Sequence, residues 1–456
     1  MIVLEQTLTL ETLPERLVVA YPSSHALIAT LEDALDTSFA SLLDDDLTVI
    51  SPLNLPSLKK LFIVKADALS TLKKRKTVAG TLAKNTQPLH VAIDTFEGHG
   101  GLFYEALALA HYRFDVVKGK TYKPLTPLTI ITEKAEALKP HQIVSDAINV
   151  TKTLVNTPYS HLTALELAEL AQTYASYPHT EVTILEKEAI EALGMGAFLA
   201  VNKGSIVPPR LIHIKYRHGG DKPLTTLIGK GVMFDTGGYS LKPSTSMPTM
   251  KMDMGGAANV MGVMQALAQL EATVNVDGLI LATDNRIGEH AIVPDDIVTA
   301  ADGTTIEIVS TDAEGRLTLA DALWYAQEQG AQKILDMATL TGAVVAALGS
   351  THIGAFTNDE TYLKAFLKSA EKAEEKFWWL PQEEAHKEGL KSHVADLKNS
   401  GPRVAGASVA AAFLNHFVKP SVPWIHLDVA GVTYEEKQGA TGRVVKAVLQ
   451  HVLDNA

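Results

Sequence analysis

The sequence predicts an α/β protein in which a smaller N-terminal α/β domain is followed by a larger domain with a mostly parallel central sheet flanked by helices. Its 456 residues are 46% hydrophobic and 20% charged, which is typical of a globular chain. At ~100–200 residues per domain, two or three domains are expected. Beyond about residue 145, short apolar runs alternate with amphipathic stretches, as in a parallel sheet covered by helices. We therefore expect one domain over residues 1–145 and a second over residues 146–456.

The charge and cysteine content narrows the function classes. The formal net charge is −12, which argues against nucleic acid as a partner. No cysteine is present, which excludes disulfides, thiolate nucleophiles and cysteine-bound metals and fits a reducing cytoplasm. Glu5 interrupts the N-terminal apolar stretch, so a signal peptide is not expected and we predict a cytoplasmic location. The apolar runs Gly342 to Leu348 and Val404 to Leu414 are shorter than the ~20 residues of a membrane span and predict buried helices.

The N-terminal domain carries no catalytic constellation. The basic run Lys73 to Lys76 follows a helical-looking segment, so a solvated helix end is favoured over a phosphate contact. Gly98 to Gly101 resembles a phosphate loop only loosely, because the spacing of a dinucleotide fingerprint is missing. A turn before a helix from Leu102 to Tyr112 is favoured there.

The larger domain shows the strand and helix alternation most clearly. Apolar runs bounded by turn residues predict strands, and apolar positions that recur every three or four residues predict helices. The predicted elements are strands over Leu224–Gly229, Gly278–Thr283, Thr304–Thr311 and Lys333–Met337 and helices over Gly255–Leu270 and Leu317–Gln329. In such sheets ligands collect at the carboxyl ends of the strands, so polar residues there are the candidates for function.

Three segments place polar residues at such ends. They run from Gly229 to Lys242, from Met250 to Ala257 and from Ser310 to Leu317. The first is not a Walker loop, because Gly231 stands where Ser or Thr should follow the lysine. In the third, residues two apart in extended chain face the same way, so Asp312, Glu314 and Arg316 are expected to converge.

Structural explanations compete with a functional one for each segment. The run from Thr311 to Glu314 fits a capping box, Asp253 could cap the helix at Gly255, and Lys230 with Asp235 could be an ordinary ion pair. Taken together, however, four carboxylates at one sheet edge would repel by several kcal/mol unless about four positive charges compensate them. Two divalent cations supply that charge, and a pair ~3.5–4 Å apart is a recurring hydrolytic device.

Other catalytic devices are missing from the sequence. None of the 16 histidines lies two, three or four residues from another, so a helical histidine pair for zinc does not occur. His426 alternates along a probable strand and is expected to be a sheet-face residue. There is also no Gly-x-Ser-x-Gly elbow for a serine hydrolase.

The third segment, Ser310-Thr-Asp-Ala-Glu-Gly-Arg-Leu317, closely resembles the signature Asn-Thr-Asp-Ala-Glu-Gly-Arg-Leu of the leucyl (cytosol) aminopeptidase family of metallopeptidases. The other two segments resemble that family's remaining site motifs, and the similarity covers roughly residues 150 to 450. One departure is Ser310, which occupies the usual asparagine. That position is not a metal ligand in the family pattern, so hydrogen bonding to substrate or to neighbouring residues is what the change could alter.

The resemblance implies a set of site residues. It implies that two divalent metals are bound by Lys230, Asp235, Asp253, Asp312 and Glu314. A tighter site would use Asp235, Asp312 and Glu314, and a more exchangeable site would use Lys230, Asp235, Asp253 and Glu314. An ammonium has no lone pair, so Lys230 must coordinate as a neutral amine with a lowered pKa. Such ligands suit Zn²⁺, Mn²⁺, Mg²⁺ or Co²⁺.

The resemblance also implies a reaction, the hydrolysis of the first peptide bond of a peptide with a free N-terminus by a metal-bridging hydroxide. Lys242 would donate to the oxyanion, and Arg316 would hold a bicarbonate ion that serves as general base. The implied substrate-binding residues are Met250, Thr339, Leu340 and Gly342. A homohexamer is the implied assembly. A two-metal phosphoesterase and a DNA-binding relative of the family are the alternatives.

Overall fold

The computed structural model describes residues 1–455 and divides the chain into two compact units, Met1–Asp146 and a second that begins at Ala147. Each unit has its own sheet with helices packed against it, so the predicted α/β class is confirmed. The helix α4, which is numbered after three helices of the first unit, covers Ala135–Asn156 and crosses the boundary between the two units.

The first unit is a six-stranded sheet with three helices. Its strands are β1 (Ile2–Glu5), β2 (Arg16–Tyr21), β3 (Leu47–Ile50), β4 (Lys60–Lys65), β5 (Leu89–Ala92) and β6 (Leu128–Thr132), and its helices are α1 (Ala26–Leu35), α2 (Leu72–Ala83) and α3 (Gly100–Ala110). The strand order is β1-β6-β5-β2-β4-β3, and only β3 runs antiparallel to its neighbour. Apolar side chains fill both faces of this sheet.

Two local predictions in the first unit can be compared with the structure. The basic run Lys73 to Lys76 does lie at a helix end, but it lies in the first turns of α2, where Thr71 caps the helix, and does not follow a helix as expected. The three lysines are exposed, but Arg75 is buried and its Nη1 donates to the carbonyl of Leu69 over 2.6 Å. The predicted turn before α3 is present, with Gly98 at a φ of 68°.

The second unit is built on an eight-stranded sheet. The strands of the unit are β7 (Thr180–Leu185), β8 (Arg210–Arg217), β9 (Leu224–Asp235), β10 (Asn275–Asn285), β11 (Ile297–Thr299), β12 (Thr305–Glu307), β13 (Lys333–Ala338), β14 (Ile353–Thr357), β15 (Phe377–Trp379), β16 (Leu397–Lys398), β17 (Trp424–Asp428), β18 (Tyr434–Glu435) and β19 (Gly439–Ala440). The large sheet has the order β15-β14-β17-β13-β9-β10-β8-β7. Its four central strands, from β17 to β10, are mutually parallel, so their carboxyl ends share one edge.

Helices cover the large sheet. They are α5 (Ala164–Gln172), α6 (Lys187–Ala192), α7 (Gly196–Asn202), α8 (Gly255–Gln269), α9 (Glu314–Glu328), α10 (Gly342–Leu348), α11 (Glu360–Lys372), α12 (Glu384–Glu388), α13 (Gly406–His416) and α14 (Val445–Asp454). The helix α8 is buried along its whole face, and a Cβ on Gly256 would collide with the carbonyl of Met337 in β13. That close approach fixes α8 against the strands that carry the candidate site.

Three element predictions need correction. The strand predicted over Thr304–Thr311 is only the three residues of β12, because the chain beyond it turns toward the site. The helix α10 forms where it was predicted, but within it only Val344 is buried, so the expectation of a buried helix is wrong there. The second predicted buried helix begins at Gly406, and Val404 is 83% exposed.

Within residues 1–455, no helix combines the length and the apolar composition that crossing a bilayer requires.

Candidate active site

The three polar segments meet at the carboxyl edge of the parallel strands. The strand β9 carries Lys230 and ends at Asp235, Asp253 comes two residues before α8, and Glu314 is the first residue of α9. Lys230, Asp235, Asp253 and Glu314 are each no more than 4% exposed, whereas the side chain of Asp312 is 39% exposed. The site is therefore a buried group of charges with one more open carboxylate.

Lys230 lies at the centre of one half of this site. Its Nζ is 2.8 Å from Asp253 Oδ1 and 2.8 Å from Glu314 Oε1, and it donates to the carbonyl of Thr339 over 2.9 Å. The alternative of an ordinary ion pair between Lys230 and Asp235 is wrong, because Lys230 pairs with Asp253 and Glu314. The lysine joins three segments that are far apart in the sequence.

Lys242 occupies the other half of the site. Its Nζ lies 2.6 Å from Asp235 Oδ2 and 2.6 Å from Asp312 Oδ1. Together the two lysines contact all four carboxylates. Part of the positive charge that balances these carboxylates therefore comes from the protein itself and not from metal ions. The arginine at 316, which is 8% exposed, adds a third positive charge.

Two glycines leave room for these contacts. A Cβ on Gly315 would stand 2.5 Å from Lys230 Cε and 2.7 Å from its Nζ. Gly237 has a φ of +84°, and a Cβ there would stand 2.8 Å from Asp312 Oδ1. The glycines of the first and third segments are therefore required by the close packing of charged side chains.

Neither capping explanation is realised. The N-cap of α9 is Ala313 without a side-chain hydrogen bond, and Thr311 Oγ1 instead accepts from the amide of Ser240 over 2.7 Å. The N-cap of α8 is Met254, again without a side-chain hydrogen bond. The carboxylates of Asp253 and Glu314 are thus directed to Lys230 and away from helix caps.

Burial and neighbouring charges shift the pKa values of the site. Burial acts to lower the pKa of Lys230, but the charges of Asp253 and Glu314 outweigh it and raise that pKa above its ordinary value. Burial raises the pKa of Asp253 well above its usual range, and it raises the pKa of Asp235 as well. Burial, followed by the charge of Asp235, raises the pKa of Asp312. These carboxyl groups are therefore costly to keep ionised without nearby cations.

The donor set fits divalent metal ions. Asp235, Asp312 and Glu314 each offer a carboxylate oxygen, and these atoms lie within 4.8 Å of one another. Asp253 Oδ2 and Glu314 Oε2 are buried and accept no hydrogen bond. Buried oxygens without a donor are rare in folded proteins, and a bound cation is one explanation. The three carboxylates expected for the tighter site are thus brought together.

The predicted convergence is seen for Asp312 and Glu314 but not in the contacts of Arg316, and it arises in a different way from the one expected. The chain is not extended here, because Asp312 lies in a turn and Glu314 starts α9. Arg316 Nη1 donates to the carbonyl of Asn399 over 2.8 Å, while its Nε is buried without a partner. Burial lowers the pKa of Arg316 to about 10, although the charge of Glu314 opposes this.

The four expected substrate-binding residues lie around the same edge. Thr339 to Gly342 follow β13, where Thr339 Oγ1 donates to Asp253 Oδ1 over 2.8 Å. Asp428, at the end of β17, accepts from the amide of Leu340 over 3.2 Å. Gly342 is exposed, and Met250 is half-buried in the short helical turn Met250–Met252.

His426 is a buried sheet residue, as its alternation predicted. Its Nδ1 is 2.5 Å from Asp336 Oδ1 on β13, and it is 1% exposed.

Several supporting residues escaped the sequence reading. Asn285, at the end of β10, donates from Nδ2 to Asp235 Oδ1 and to the carbonyl of Thr311, over 2.8 and 2.9 Å. Asn399 Oδ1 accepts from the amides of Val309 and Ser310 over 2.8 and 3.3 Å. Both asparagines lie at carboxyl ends of strands, which is the only signal in the sequence that could have singled them out.

The fold and the site together define a class: an α/β domain whose buried carboxylates and lysines gather at the carboxyl edge of a mostly parallel sheet. Residues 149–449 match the model of the catalytic domain of the cytosol aminopeptidase family. The chain belongs to the cytosol aminopeptidase family, which confirms the predicted resemblance.

Curated relatives are named as probable cytosol aminopeptidases. The chain is 44% identical over 327 residues to that of Gloeobacter violaceus, a match that covers 70% of this chain and 65% of the relative. It is 45% identical over 344 residues to that of Nostoc punctiforme, covering 74% of this chain and 69% of the relative. The first match thus spans slightly less than two thirds of the Gloeobacter protein.

Solved structures extend the likeness to the whole chain. A mutant of tomato leucine aminopeptidase superposes with a TM-score of 0.85 at 30% identity, covering 100% of this chain and 97% of the tomato chain. The bottromycin maturation enzyme BotP, solved in complex with Mn, superposes with a TM-score of 0.84 at 28% identity, covering 97% of this chain and 99% of that one.

Proposed function

We propose that this protein is a metal-dependent aminopeptidase that removes the N-terminal residue, Leu-like and others, from peptides. The observation that carries the proposal is the group of four carboxylates and two lysines at the carboxyl edge, in a chain of this family. The divalent cations would be Zn²⁺ or Mn²⁺, with Mg²⁺ and Co²⁺ as further candidates, since oxygen ligands suit them all. The Mn bound to BotP favours manganese among them.

The protein would hold two ions with the residues that already contact one another. Asp235, Asp312 and Glu314 would bind one ion, and Asp253 and Lys230 would complete the second site with shared carboxylates from the first. When bound, such ions lower the pKa of a water nucleophile and polarise the scissile carbonyl. Lys230 Nζ must then lose the proton that its carboxylate neighbours now hold in place.

The two remaining cationic side chains would act on the reacting groups. Lys242 Nζ, which pairs with Asp235 and Asp312, would donate to the oxyanion that develops on the scissile carbonyl. The family resemblance implies that Arg316 would hold a bicarbonate ion as the general base, which would account for the lack of a histidine or glutamate base in the three segments.

The substrate would lie along the loop after β13. The backbone of Thr339 and Leu340, fixed through Asp253 and Asp428, would orient the peptide, with Gly342 leaving space beside it. Met250 would line the pocket for the first side chain. A free N-terminus is required because the substrate amine would be one of the groups held at the ions. We also propose the homohexamer and the cytoplasmic location that the family implies.

Chelation tests the need for metal. We expect EDTA or phenanthroline to abolish hydrolysis of leucine amide, and we expect added Mn²⁺ or Zn²⁺ to restore it, measured with metal content on the same samples. As a control, the thermal unfolding of the chelated and of the metal-restored samples would be measured without substrate. Both samples should still show a cooperative unfolding transition. Activity that survives complete metal removal would contradict the proposal, and phosphatase activity without peptidase activity would favour the phosphoesterase.

A further inference from the structure

An arginine lies next to the candidate site and is held in an unusual setting. Arg286 follows directly after β10, and its guanidinium carbon lies 4.1 Å from the ring centroid of Tyr159 and 5.0 Å from that of Phe234. The two rings meet edge to face, with centroids 6.3 Å apart. Stacking on aromatic rings fixes the plane of a guanidinium and suits it for binding planar anions.

One edge of this guanidinium is fixed by a buried carboxylate. Arg286 Nε donates to Asp284 Oδ2 over 2.8 Å, and Asp284 is 1% exposed. The same carboxylate accepts from the hydroxyl of Tyr159 over 3.0 Å and from that of Ser205 over 2.8 Å. Asp284 thus holds both the arginine and the ring of Tyr159 beneath it.

The other edge of the guanidinium is not tied to a carboxylate. Within residues 1–455, the ion pair of Arg286 uses Nε, and its further polar neighbour is the hydroxyl of Tyr159, which itself donates to Asp284. The side chain is 31% exposed, which leaves Nη1 and Nη2 accessible. A pre-oriented pair of donors of this kind matches the two oxygens of a carboxylate.

The neighbours of Arg286 connect it to the candidate site. Asn285, the preceding residue, donates to Asp235, and Phe234 directly precedes Asp235 in β9. The hydroxyl of Tyr239, in the loop that leads to Lys242, donates to the carbonyl of Gly288 over 3.1 Å. The loops after β9 and β10 are thus joined, with Arg286 at the start of the second.

The strand order says which part of a peptide would reach Arg286. In the sheet, β9 lies between β13 and β10. Thr339 to Gly342, which are proposed to orient the peptide, follow β13, whereas Arg286 follows β10 on the other side of β9. A peptide that crosses the site from the loop after β13 would have its far end near Arg286, and the proposal takes that end to be the leaving part.

We propose that Arg286 binds a carboxylate on the leaving part of the substrate, so that the enzyme favours short peptides that carry one there. The inference rests on the proposed aminopeptidase function and names a substrate class for it. An extended peptide spans ~3.3–3.6 Å per residue, so the C-terminal carboxylate of a dipeptide or tripeptide is the first candidate and an acidic side chain is the second.

Matched substrates separate these contributions. Leu-Gly and Leu-Gly-Gly would be compared with their C-terminal amides, and Leu-Asp amide would report on an acidic side chain. In Arg286→Gln we expect kcat/KM to fall about 10- to 100-fold for substrates with the recognised carboxylate and to stay within about 2-fold for the plain amides. Arg286→Lys, which keeps the charge but loses the planar pair of donors, should retain an intermediate preference.

A control arginine comes from the first unit. Arg113 also lies over a tyrosine, with its guanidinium carbon 5.5 Å from the ring centroid of Tyr122, and Arg113→Gln should leave every ratio unchanged. Equal losses for acids and amides in Arg286→Gln would make Arg286 a structural clamp and overturn the proposal. So would a preference for the acid that survives the substitution.

A second readout does not depend on turnover. Binding of an analogue of Leu-Gly with a reduced peptide bond, and of its amide, would be measured by calorimetry on the metal-loaded protein. Arg286→Gln should weaken the acid by the same 10- to 100-fold and leave the amide unchanged. If no peptide is hydrolysed but this difference appears, the proposed function fails while the carboxylate site stands. If the ratio of the dissociation constants of the acid and the amide is the same in the variant as in the parent protein, the carboxylate site is contradicted.

Discussion

The two units share an architecture, since each packs helices on a largely parallel sheet, but they bury charge very differently. Among the described residues, the first unit buries two charged side chains, Arg75 and Glu105. The second buries Lys230, Asp235, Asp253, Asp277, Asp284, Glu314, Arg316, Asp321, Asp336 and Asp428. Burying an ion costs several kcal/mol unless it is paired and hydrogen-bonded. The larger number of buried charged side chains in the second unit therefore carries a cost in free energy that forming an apolar core does not require.

Where the buried charges lie explains the difference. In the second unit, half of them form the candidate site, and others hold its surroundings. Asp428 fixes the loop after β13, and Asp284 fixes Arg286. In the first unit, Glu105 pairs with His141 across two helices, with Nδ1 and Oε1 2.6 Å apart, and no other buried carboxylate lies near them. The pair of Glu105 and His141 joins two helices of the first unit, whereas half of the buried charges of the second unit lie together where we propose that cations bind.

The largest expected effect comes from removing a shared carboxylate. We expect Glu314→Ala to lower kcat by more than about 1,000-fold and to abolish metal retention, because Glu314 contacts Lys230 and contributes an oxygen to the carboxylate cluster. Lys242→Ala should lower kcat about 100- to 1,000-fold but retain the metal. Turnover of leucine amide and metal analysis check both, and full activity in either variant defeats the assignment.

The control for that prediction is the buried carboxylate of the first unit. Glu105→Gln should reduce the free energy of unfolding by about 1–3 kcal/mol, because it weakens the pair with His141. It should leave kcat and metal content unchanged. A variant at Glu105 that loses turnover without losing stability would break the distinction between the two units.

The sequence anticipated the residues of the site better than their contacts. Local motifs identify Lys230, Asp235, Asp312 and Glu314, because glycines and carboxylates at strand ends are visible in the chain. The pairing of Lys230 with Asp253 and Glu314 depends on how α8 and α9 pack on β9, which no local pattern contains.

The predicted strand over Thr304–Thr311 failed for a similar reason. Its residues have the composition of a strand, yet Asn399, almost ninety residues later in the chain, captures the amides of Val309 and Ser310. The chain then turns at Asp312. A hydrogen bond to a distant buried asparagine is a tertiary effect that overrides local propensity.

A smaller effect is expected at that asparagine. Asn399 Nδ2 donates to the carbonyl of Ser310 over 2.7 Å, and its own carbonyl accepts from Arg316. Asn399→Ala should lower kcat about 10- to 100-fold with little change in KM, because it loosens the turn that positions Asp312 and Arg316 without touching the substrate.

The pattern of variants tests this positioning role. Asn399→Asp keeps the acceptor for Val309 and Ser310 and should recover part of kcat. Metal content should remain near that of the parent protein in both variants. A KM that rises in proportion to the loss of kcat/KM, with kcat unchanged, would mean that Asn399 contributes to substrate binding.

The smallest expected effect concerns a titratable group of the second unit that does not belong to the site. His451, on α14, is 2% exposed between the rings of Tyr362 and Phe366. Burial, with a contribution from Lys333, lowers the pKa of His451 to about 4. The unfolded chain binds a proton near pH 6.5 and the folded chain does not, so this group's contribution to stability is complete above pH 6.5 and is lost as the pH falls toward 4.

In His451→Leu, we expect the decrease in the free energy of unfolding from pH 7.5 to pH 5.5 to be about 1 kcal/mol smaller than in the parent protein, with kcat unchanged at pH 7.5. Denaturant titrations at the two pH values measure the difference. An equal slope in the parent protein and His451→Leu would show that His451 is protonated alike in both states, and the contrast between the two units would then be confined to the carboxyl edge of the sheet.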